Sequence, residues 1–152
     1  MAKPYALDQN GELKETNGSW RSFDRCTTSS GIISTVMDLA KYDIGIDHDL
    51  VYSPAAKKQI WTATTSPTGQ VFPYGLGWFV QGAYGAKDQL VWHYGVYPTA
   101  FSSLLFKVPD KQLSLIFLAC TERASSVFLL GNGDPLRSAF VTTFLDSFGR
   151  IA

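Results

Sequence analysis

The sequence has almost no charge imbalance and no long apolar run. Its thirteen Lys and Arg residues balance thirteen Asp and Glu residues. Nucleic acids and anionic membranes are bound through a surplus of basic side chains, so zero net charge argues against both as partners. The best apolar run, Leu113 to Cys120, falls well short of the roughly 20 residues that span a bilayer and is interrupted by Ser114. No transmembrane segment is predicted, and the first residues contain no apolar stretch typical of a secretory signal.

Cysteine and histidine are scarce as well, which bears on disulfides and metals. Cys26 and Cys120 could form one disulfide at most. We favour two unpaired thiols over a bond between them, because two distant cysteines do not make a disulfide framework. Neither His48 nor His93 pairs with a cysteine at zinc-finger spacing. We therefore predict no metal site and no cofactor.

Core-forming side chains, in contrast, are plentiful. Of the 152 residues, 45% are hydrophobic and 14% are aromatic. This composition is typical of one globular domain and not of a disordered chain. Residues 1–31 show little periodicity and are predicted to be irregular, with a turn at Asn10-Gly11.

Residues 34–62 are predicted to be helical. Ser34 or Thr35 caps a first helix, which runs through about Ile46 with a capping-box acid three residues after Thr35. Ser53-Pro54 starts a second, shorter helix, because a cap followed by proline at the first helical position is a common helix start.

Residues 72–121 are predicted to form antiparallel strands, since the apolar period changes there from helical to two. The predicted strands are 74–81, 89–93, 99–108 and 112–121. A tight turn at 109–111 joins the last two strands into a hairpin. Both of these strands are apolar on both faces, so the hairpin is expected to lie inside a sheet that is covered on both sides.

A final helix is predicted over residues 134–149. Asp134-Pro135 starts it, apolar residues recur every four positions, and Gly149 ends it. The recurring residues are Leu136, Phe140, Phe144 and Phe148. The fold class predicted from these elements is α+β, an antiparallel sheet flanked by helices.

The sequence contains almost none of the known motifs that would by themselves indicate a catalytic site. There is no G-x-S-x-G elbow and no phosphate-binding loop, and Gly75-Leu76-Gly77 is better interpreted as structural glycine. The stretch 92–103 remains as a candidate for a functional site. A single histidine at a strand end is usually a satisfied hydrogen-bonding group, but Gly95 beside His93 would let a ligand approach main-chain N–H groups closely.

Five segments follow one another in the chain: SGIISTVMDLAKY at 30–42, the helix at 50–61, YGLGW at 74–78, WHYG at 92–95 and the strand pair at 101–118. Taken in this order, they resemble segments of the serine β-lactamase-like hydrolases. That family includes class C β-lactamases, DD-peptidases of the penicillin-binding type and related esterases. The resemblance covers nearly the whole chain and implies the C-terminal part of the β-lactamase/DD-peptidase (transpeptidase-like) fold.

The resemblance also implies roles for four consecutive residues. WHYG falls where the family has its third catalytic motif, K-T-G or H-x-G. His93 then takes the Lys/His position, Tyr94 the middle position and Gly95 the glycine, while Val96 would offer a backbone N–H to the oxyanion hole. The substrate implied is a lactam, a D-amino-acid peptide or an ester. A histidine carries less positive charge than a lysine at neutral pH, which argues against strong selection of a carboxylate-bearing lactam.

The family's other two motifs are missing from this chain. No serine has a lysine three residues later, and no tyrosine or serine has an asparagine two residues later. Residues 1–152 are therefore interpreted as a single incomplete domain without the S-x-x-K nucleophile or the Y-x-N motif. We expect the isolated chain to be inactive, and to associate with a missing N-terminal half or with itself. Relatives commonly work in the periplasm or outside the cell, but no compartment is predicted here.

A second hypothesis belongs to another class of protein. The chain could be a non-catalytic, β-rich module that binds carbohydrate or a partner protein through a stacking surface. The aromatic residues available for such a surface are Trp61, Trp78, Trp92 and Tyr97.

Overall fold

A computed structural model describes residues 2–16, 27, 30–82, 88–130 and 133–149. The strands are β1 (Tyr5–Leu7), β2 (Leu13–Glu15), β3 (Thr64–Thr65), β4 (Val71–Phe72), β5 (Phe79–Gly82), β6 (Gln89–Tyr97), β7 (Phe101–Val108) and β8 (Leu113–Ala119). The helices are α1 (Val36–Asp47), α2 (Pro54–Ile60), α3 (Arg123–Ser126) and α4 (Ala139–Phe148). Strands β5, β6, β7 and β8 form one antiparallel sheet in chain order, and β1–β2 and β3–β4 form two small hairpins.

The first two helices begin where the sequence predicts. The Thr35 side chain accepts a hydrogen bond from the Asp38 N–H at 3.1 Å, which satisfies one of the free donors at the start of α1. Ser53 does the same for α2 through the Ala56 N–H at 3.2 Å, with Pro54 at the first helical position.

Residues 1–31 were expected to be irregular, but the described part contains a hairpin. β1 pairs with β2 around the predicted Asn10-Gly11 turn, where Gly11 has a φ of +80°. The backbone of the turn is held by the Asp8 carboxylate, which the sequence pattern does not single out. Cys120 has a free thiol just after β8, whereas Cys26 lies outside the described residues.

The first two predicted strands have different bounds in the structure. Of the predicted strand 74–81, only residues 79–81 are extended in the sheet, where β5 runs on to Gly82. The preceding residues form a tight loop, in which the Gly75 N–H donates to the Trp78 carbonyl at 2.7 Å and Gly77 has a φ of +81°. The strand expected at 89–93 continues to Tyr97, because β7 provides a pairing partner from Val91 to Tyr97.

The final helix is shorter than predicted. Asp134 caps a 3-10 turn, Pro135–Arg137, and Ser138 is extended before α4 begins at Ala139. As expected, α4 then packs across the hairpin: Phe140 contacts Phe117, and Phe144 meets Phe106 edge to face.

The two faces of the main sheet carry separate cores. The first face, with Trp92, Leu104 and Phe106, packs against α3 and α4. The second face, with Val80 and Val91, packs against Ile46 of α1 and against Trp78. The hairpin is thus covered on both faces, as predicted. It does not lie inside the sheet, however, because β8 is an edge strand in the part of the chain that the structure describes.

A buried charge cluster fixes α1 to the second face. The Lys107 ammonium on β7 is fully buried and lies 2.6 Å from an Asp43 carboxylate oxygen and 3.0 Å from one of Asp47. Its third contact is the Ser114 hydroxyl at 3.0 Å. A buried lysine is tolerated only when its donors are paired in this way.

The tip of the β6–β7 hairpin is held by residues from distant parts of the chain. The Thr99 N–H donates to the Glu122 carboxylate at 2.9 Å, and the Thr99 carbonyl accepts from the Thr16 hydroxyl at 2.8 Å. Thr99 itself has a φ of +60°, which the three-residue turn requires. Among the described residues, no helix is long and apolar enough to cross a membrane.

Candidate active site

The candidate site lies where β6 extends past its neighbour β5. Among the described residues, β5 pairs with β6 only from Gln89 to Trp92, so the segment 93–96 has a partner strand on the β7 side alone. The His93 side chain and the bare Cα of Gly95 lie on the second face of the sheet, beyond the part that Ile46 and Trp78 cover. His93 is exposed and Gly95 is half-buried. The result is an open strand edge beside an accessible imidazole.

Hydrogen bonds at both ring nitrogens fix the His93 imidazole. Nδ1 lies 2.8 Å from the Tyr94 carbonyl oxygen, and Nε2 lies 3.0 Å from the Tyr74 hydroxyl. A carbonyl can only accept, so Nδ1 carries the proton and donates. In the neutral ring Nε2 is then the acceptor, and Tyr74 donates to it. Together the two hydrogen bonds hold the ring in one orientation.

A close approach between β6 and β7 lies next to His93. Gly95 is opposite Ser103, and a Cβ built on Gly95 would lie only 2.7 Å from the Ser103 hydroxyl oxygen. Glycine is therefore required for the hydroxyl to keep this position. The hydroxyl and the bare backbone of Gly95 make a small polar surface on the same face as the imidazole.

The backbone of Val96 faces the open edge. The Tyr97 carbonyl bonds the Ala100 N–H within the turn, so Tyr97 directs its backbone groups toward β7. Backbone groups alternate between the two sides of a strand, so the N–H of Val96 points away from β7. The Tyr94 carbonyl, which His93 occupies, points the same way. An N–H on an unpaired strand edge can donate to a carbonyl oxygen or to an oxyanion.

The four residues predicted from sequence do not all present side chains to one place. His93 and Gly95 share the second face, whereas the Tyr94 ring packs with the core of the first face and stacks on Phe79 at 5.8 Å. Tyr94 reaches the site through its carbonyl alone. His93 also lies in the middle of a strand and not at a strand end, because β6 runs on to Tyr97.

Sequence reasoning missed two residues of the site, Tyr74 and Ser103. Tyr74 belongs to the YGLGW segment, but it was assigned to a strand and not to a loop that brings its hydroxyl to His93. Ser103 is opposite Gly95, and this pairing could have been read from the register of the predicted hairpin.

The aromatic residues of the alternative hypothesis are mostly core residues. Trp92 is fully buried and Trp78 nearly so, while Trp61 packs edge to face on Trp78. A stacking surface for sugars needs exposed rings, so this arrangement does not favour a carbohydrate-binding module. Across the described ranges, no group of three or more His, Cys, Asp or Glu side chains could hold a metal ion.

Comparison with known proteins gives one match. The family model named Beta-lactamase matches residues 2–128. Neither the curated proteins nor the solved structures gave a match. The matched range includes Tyr74, the segment 93–97 and Ser103, and it covers most of the 152 residues. The helices and antiparallel sheets of the structure are consistent with the α+β class expected for this family. The chain belongs to the beta-lactamase family.

Proposed function

We propose that this chain is the C-terminal portion of a serine hydrolase that transfers acyl groups to water, and that the segment 93–96 forms one wall of its active site. The observation that carries the proposal is the His93 imidazole, which is exposed, oriented at both nitrogens and placed beside an open strand edge. A histidine satisfied inside a core could not contact a substrate. Membership of the beta-lactamase family supports a hydrolase and a small-molecule substrate.

Each group of the wall has a proposed role. Val96 donates its backbone N–H to the oxygen of the tetrahedral intermediate, together with the N–H of the nucleophilic serine itself. Nε2 of His93 exchanges its contact with the Tyr74 hydroxyl for a hydrogen bond to the substrate or to the catalytic hydroxyl groups. Tyr74 is a positioning residue, because it acts on the imidazole and holds the orientation of the ring. Gly95 keeps the strand surface low enough for the substrate to lie on it.

The nucleophile is proposed to come from polypeptide outside these 152 residues. In this family the serine of S-x-x-K attacks the carbonyl carbon, its proton passes toward the lysine, and the amine or alcohol leaves with a proton. Water then releases the acyl group. Because no S-x-x-K occurs in the chain, we expect it to be inactive by itself. The bond cleaved would be that of a lactam, a D-amino-acid peptide or an ester.

The test compares the isolated chain with the product of the coding sequence extended upstream of Met1. We expect an in-frame S-x-x-K and Y-x-N in the upstream sequence. A fluorophosphonate or fluorescent penicillin probe should label the longer protein on serine and leave the isolated chain unlabelled. In the longer protein, His93→Ala should slow labelling about 100-fold, the usual effect of losing one transition-state donor.

The matched control is His48→Ala, which removes the other histidine, an exposed residue at the end of α1. It should leave the labelling rate unchanged. Covalent labelling of the isolated chain would show that the nucleophile lies within it and would contradict the proposal. Absence of both upstream motifs, or equal labelling of the His93→Ala variant and the unsubstituted protein, would contradict it as well.

A further inference from the structure

The Ser103 hydroxyl is a second polar group on the face of the sheet that carries the His93 imidazole. Gly95 of β6 is opposite Ser103 of β7, so His93, two residues before Gly95, is a diagonal neighbour of Ser103 on this face. Such neighbours lie roughly 7–8 Å apart, a distance that one small group of a substrate can span. Ser103 therefore borders the segment 93–96, the proposed wall of the active site.

The hydroxyl of Ser103 is available to a substrate. The residue is half-buried, and within the ranges that the structure describes its hydroxyl forms no hydrogen bond to another residue. Hydroxyl groups in such surroundings usually bond a nearby backbone group, as those of Ser102 and Thr142 do in this chain. Ser103 instead keeps one donor and two acceptor sites for a group outside the hairpin.

Gly95 and the Ser103 hydroxyl fit together sterically. The hydroxyl oxygen lies 2.7 Å from the position that a Cβ on residue 95 would take, so it fills the space of any other side chain there. The hydroxyl thus rests above bare backbone, in the same strand as the Val96 N–H that faces the open edge. This contact is formed entirely within the β6–β7 hairpin and does not depend on polypeptide outside the 152 residues.

The His93 imidazole has the complementary hydrogen-bonding character. Its Nδ1 donates to the Tyr94 carbonyl, so Nε2 of the neutral ring can only accept. The Tyr74 hydroxyl, 3.0 Å from Nε2, marks a position from which a donor reaches this nitrogen. The wall therefore presents an acceptor at His93 and, beside it, a hydroxyl at Ser103 that can donate.

We propose that Ser103 is a specificity-determining residue that binds an uncharged amide group in the acyl part of the substrate. Its hydroxyl donates to the amide carbonyl, and the amide N–H donates to Nε2 of His93 in place of Tyr74. A secondary amide carries one donor and one acceptor, and it is planar, so it can lie flat against the bare backbone of Gly95. This inference rests on the proposed function, because the substrate reaches Ser103 only from a cleft beside the segment 93–96.

A carboxylate in the same place would be bound less well than an amide. An ionised carboxylate has no donor to offer to Nε2 of the neutral His93 ring. The single neutral hydroxyl of Ser103 would also replace only part of the water that the charged group gives up. The pair of side chains therefore narrows the substrate to acyl donors that carry an uncharged amide close to the bond that is cleaved.

The experiment uses the longer protein, which includes the upstream sequence, and three 4-nitrophenyl esters of equal chain length. The N-acetylglycine ester carries the amide, the 4-oxopentanoate ester keeps the carbonyl without the N–H, and the pentanoate ester has neither. Release of 4-nitrophenolate measures kcat/KM for each ester, divided by its rate of spontaneous hydrolysis. We expect kcat/KM to fall in this order, by about threefold to tenfold at each step, the usual effect of one neutral hydrogen bond.

Substitutions at position 103 assign the carbonyl contact. In Ser103→Ala the oxopentanoate and pentanoate esters should react at equal rates, because the hydroxyl that distinguishes them is gone. Ser103→Thr keeps the hydroxyl and should keep the preference for the oxopentanoate ester. The matched control is Ser126→Ala, at an exposed serine of α3 on the other face of the sheet, and it should keep the order of all three esters. Circular dichroism spectra verify that each variant folds.

The outcomes separate this inference from the proposed function. If the longer protein hydrolyses the esters but Ser103→Ala keeps the same ratio of rates, the role of Ser103 is overturned and the hydrolase is not. A lower Tm of Ser103→Ala with an unchanged ratio would show that upstream polypeptide, and not the substrate, bonds the hydroxyl, which also overturns it. A longer protein that hydrolyses none of the three esters would contradict the proposed function, and this inference with it.

Discussion

At the scale of single residues, His93 shows how a surface imidazole can be oriented without a carboxylate partner. Its two bonds come from a backbone carbonyl of the same strand and from a phenol in the loop before β5. The carbonyl fixes which nitrogen carries the proton, and the phenol then has to donate to the other nitrogen. Orientation and tautomer are thus set by groups that carry no charge.

Removing the phenol should release the ring. In Tyr74→Phe, Nε2 loses its donor, and the share of the tautomer that is protonated at Nε2 should increase. The free energy of unfolding should fall by about 0.5–1 kcal/mol, because the bond lies at the surface. Long-range ¹H–¹⁵N spectra of the neutral imidazole measure the tautomer ratio. Tyr5→Phe, at a half-exposed tyrosine in β1, should leave the spectrum of His93 unchanged. An unchanged ratio in Tyr74→Phe would contradict the donor role of Tyr74.

A second prediction concerns the close approach of β6 and β7. Gly95→Ala places a methyl group 2.7 Å from the Ser103 hydroxyl oxygen, so that side chain must rotate. We expect a loss of about 1 kcal/mol in the free energy of unfolding, at the low end for overpacking because serine is small and can turn away. In a Ser103→Ala background the loss should disappear. Urea denaturation of the four proteins in this double-mutant cycle gives the coupling free energy between positions 95 and 103. Equal losses in both backgrounds would refute the steric explanation.

Sequence alone could nominate part of the site. WHYG is contiguous, and a strand of alternating residues already separates His93 and Gly95 from Tyr94 and Val96. Tyr74 could not be placed in the same way, because its contact depends on the loop that Gly75 and Gly77 allow. A run of alternating apolar residues predicts a strand there equally well.

At the scale of elements, α1 owes its position to the ion cluster at Lys107 as well as to apolar contacts. The motif that predicts its start, Thr35 with Asp38, is local and is confirmed by the structure. The contact between Lys107 and Asp43 joins residues 64 positions apart. No pattern within either segment predicts it. A lysine in a strand between two apolar residues is usually interpreted as a solvent-facing side chain.

Lys107→Met should test this anchor. The variant leaves Asp43 and Asp47 facing the core without a cation, so the free energy of unfolding should fall by about 3–5 kcal/mol. Lys41→Met removes the exposed partner of Asp38 in the same helix and should cost less than about 1 kcal/mol. Chemical denaturation measures both. Similar losses for the two variants would mean that the buried cluster contributes no more to the free energy of unfolding than the exposed ion pair does.

The stability of the β1–β2 hairpin should decrease at acidic pH. The Lys14 ammonium, followed by the Glu12 and Asn10 backbone N–H groups, holds the pKa of the Asp8 carboxyl below its ordinary value of 3.8. Because the pKa is lower in the folded state than in the unfolded state, the carboxylate stabilises the hairpin above about pH 4. This contribution is lost as the pH falls through the folded-state pKa.

The measurement is hydrogen exchange at the Glu12 N–H, which bonds the Asp8 carboxylate at 2.9 Å. After correction for intrinsic exchange rates, its protection should decrease on acidification below pH 4. In Asp8→Asn the protection should be weaker at neutral pH and should not change over the same range. A pH dependence that persists in Asp8→Asn would have to come from another group.

At the scale of the whole molecule, the open edge of β8 and the open segment of β6 lie on opposite sides of the sheet. The two hairpin strands are apolar on both faces, which predicted that both faces are covered, and they are. This pattern could not show that β8 ends the sheet, because the order of strands depends on pairing partners and not on the character of one strand.

The bond between Thr16 and the Thr99 carbonyl gives the first residues of the chain an influence far from the terminus. Thr99 lies three residues after Val96, at the end of the strand whose backbone N–H faces the proposed substrate. Thr16, which follows the β1–β2 hairpin, therefore holds that strand end through the Thr99 carbonyl, while the Glu122 carboxylate holds it through the Thr99 N–H. A protease cut or a deletion within the first sixteen residues would consequently loosen the segment 93–96, the proposed wall of the active site, although it alters no residue of that segment.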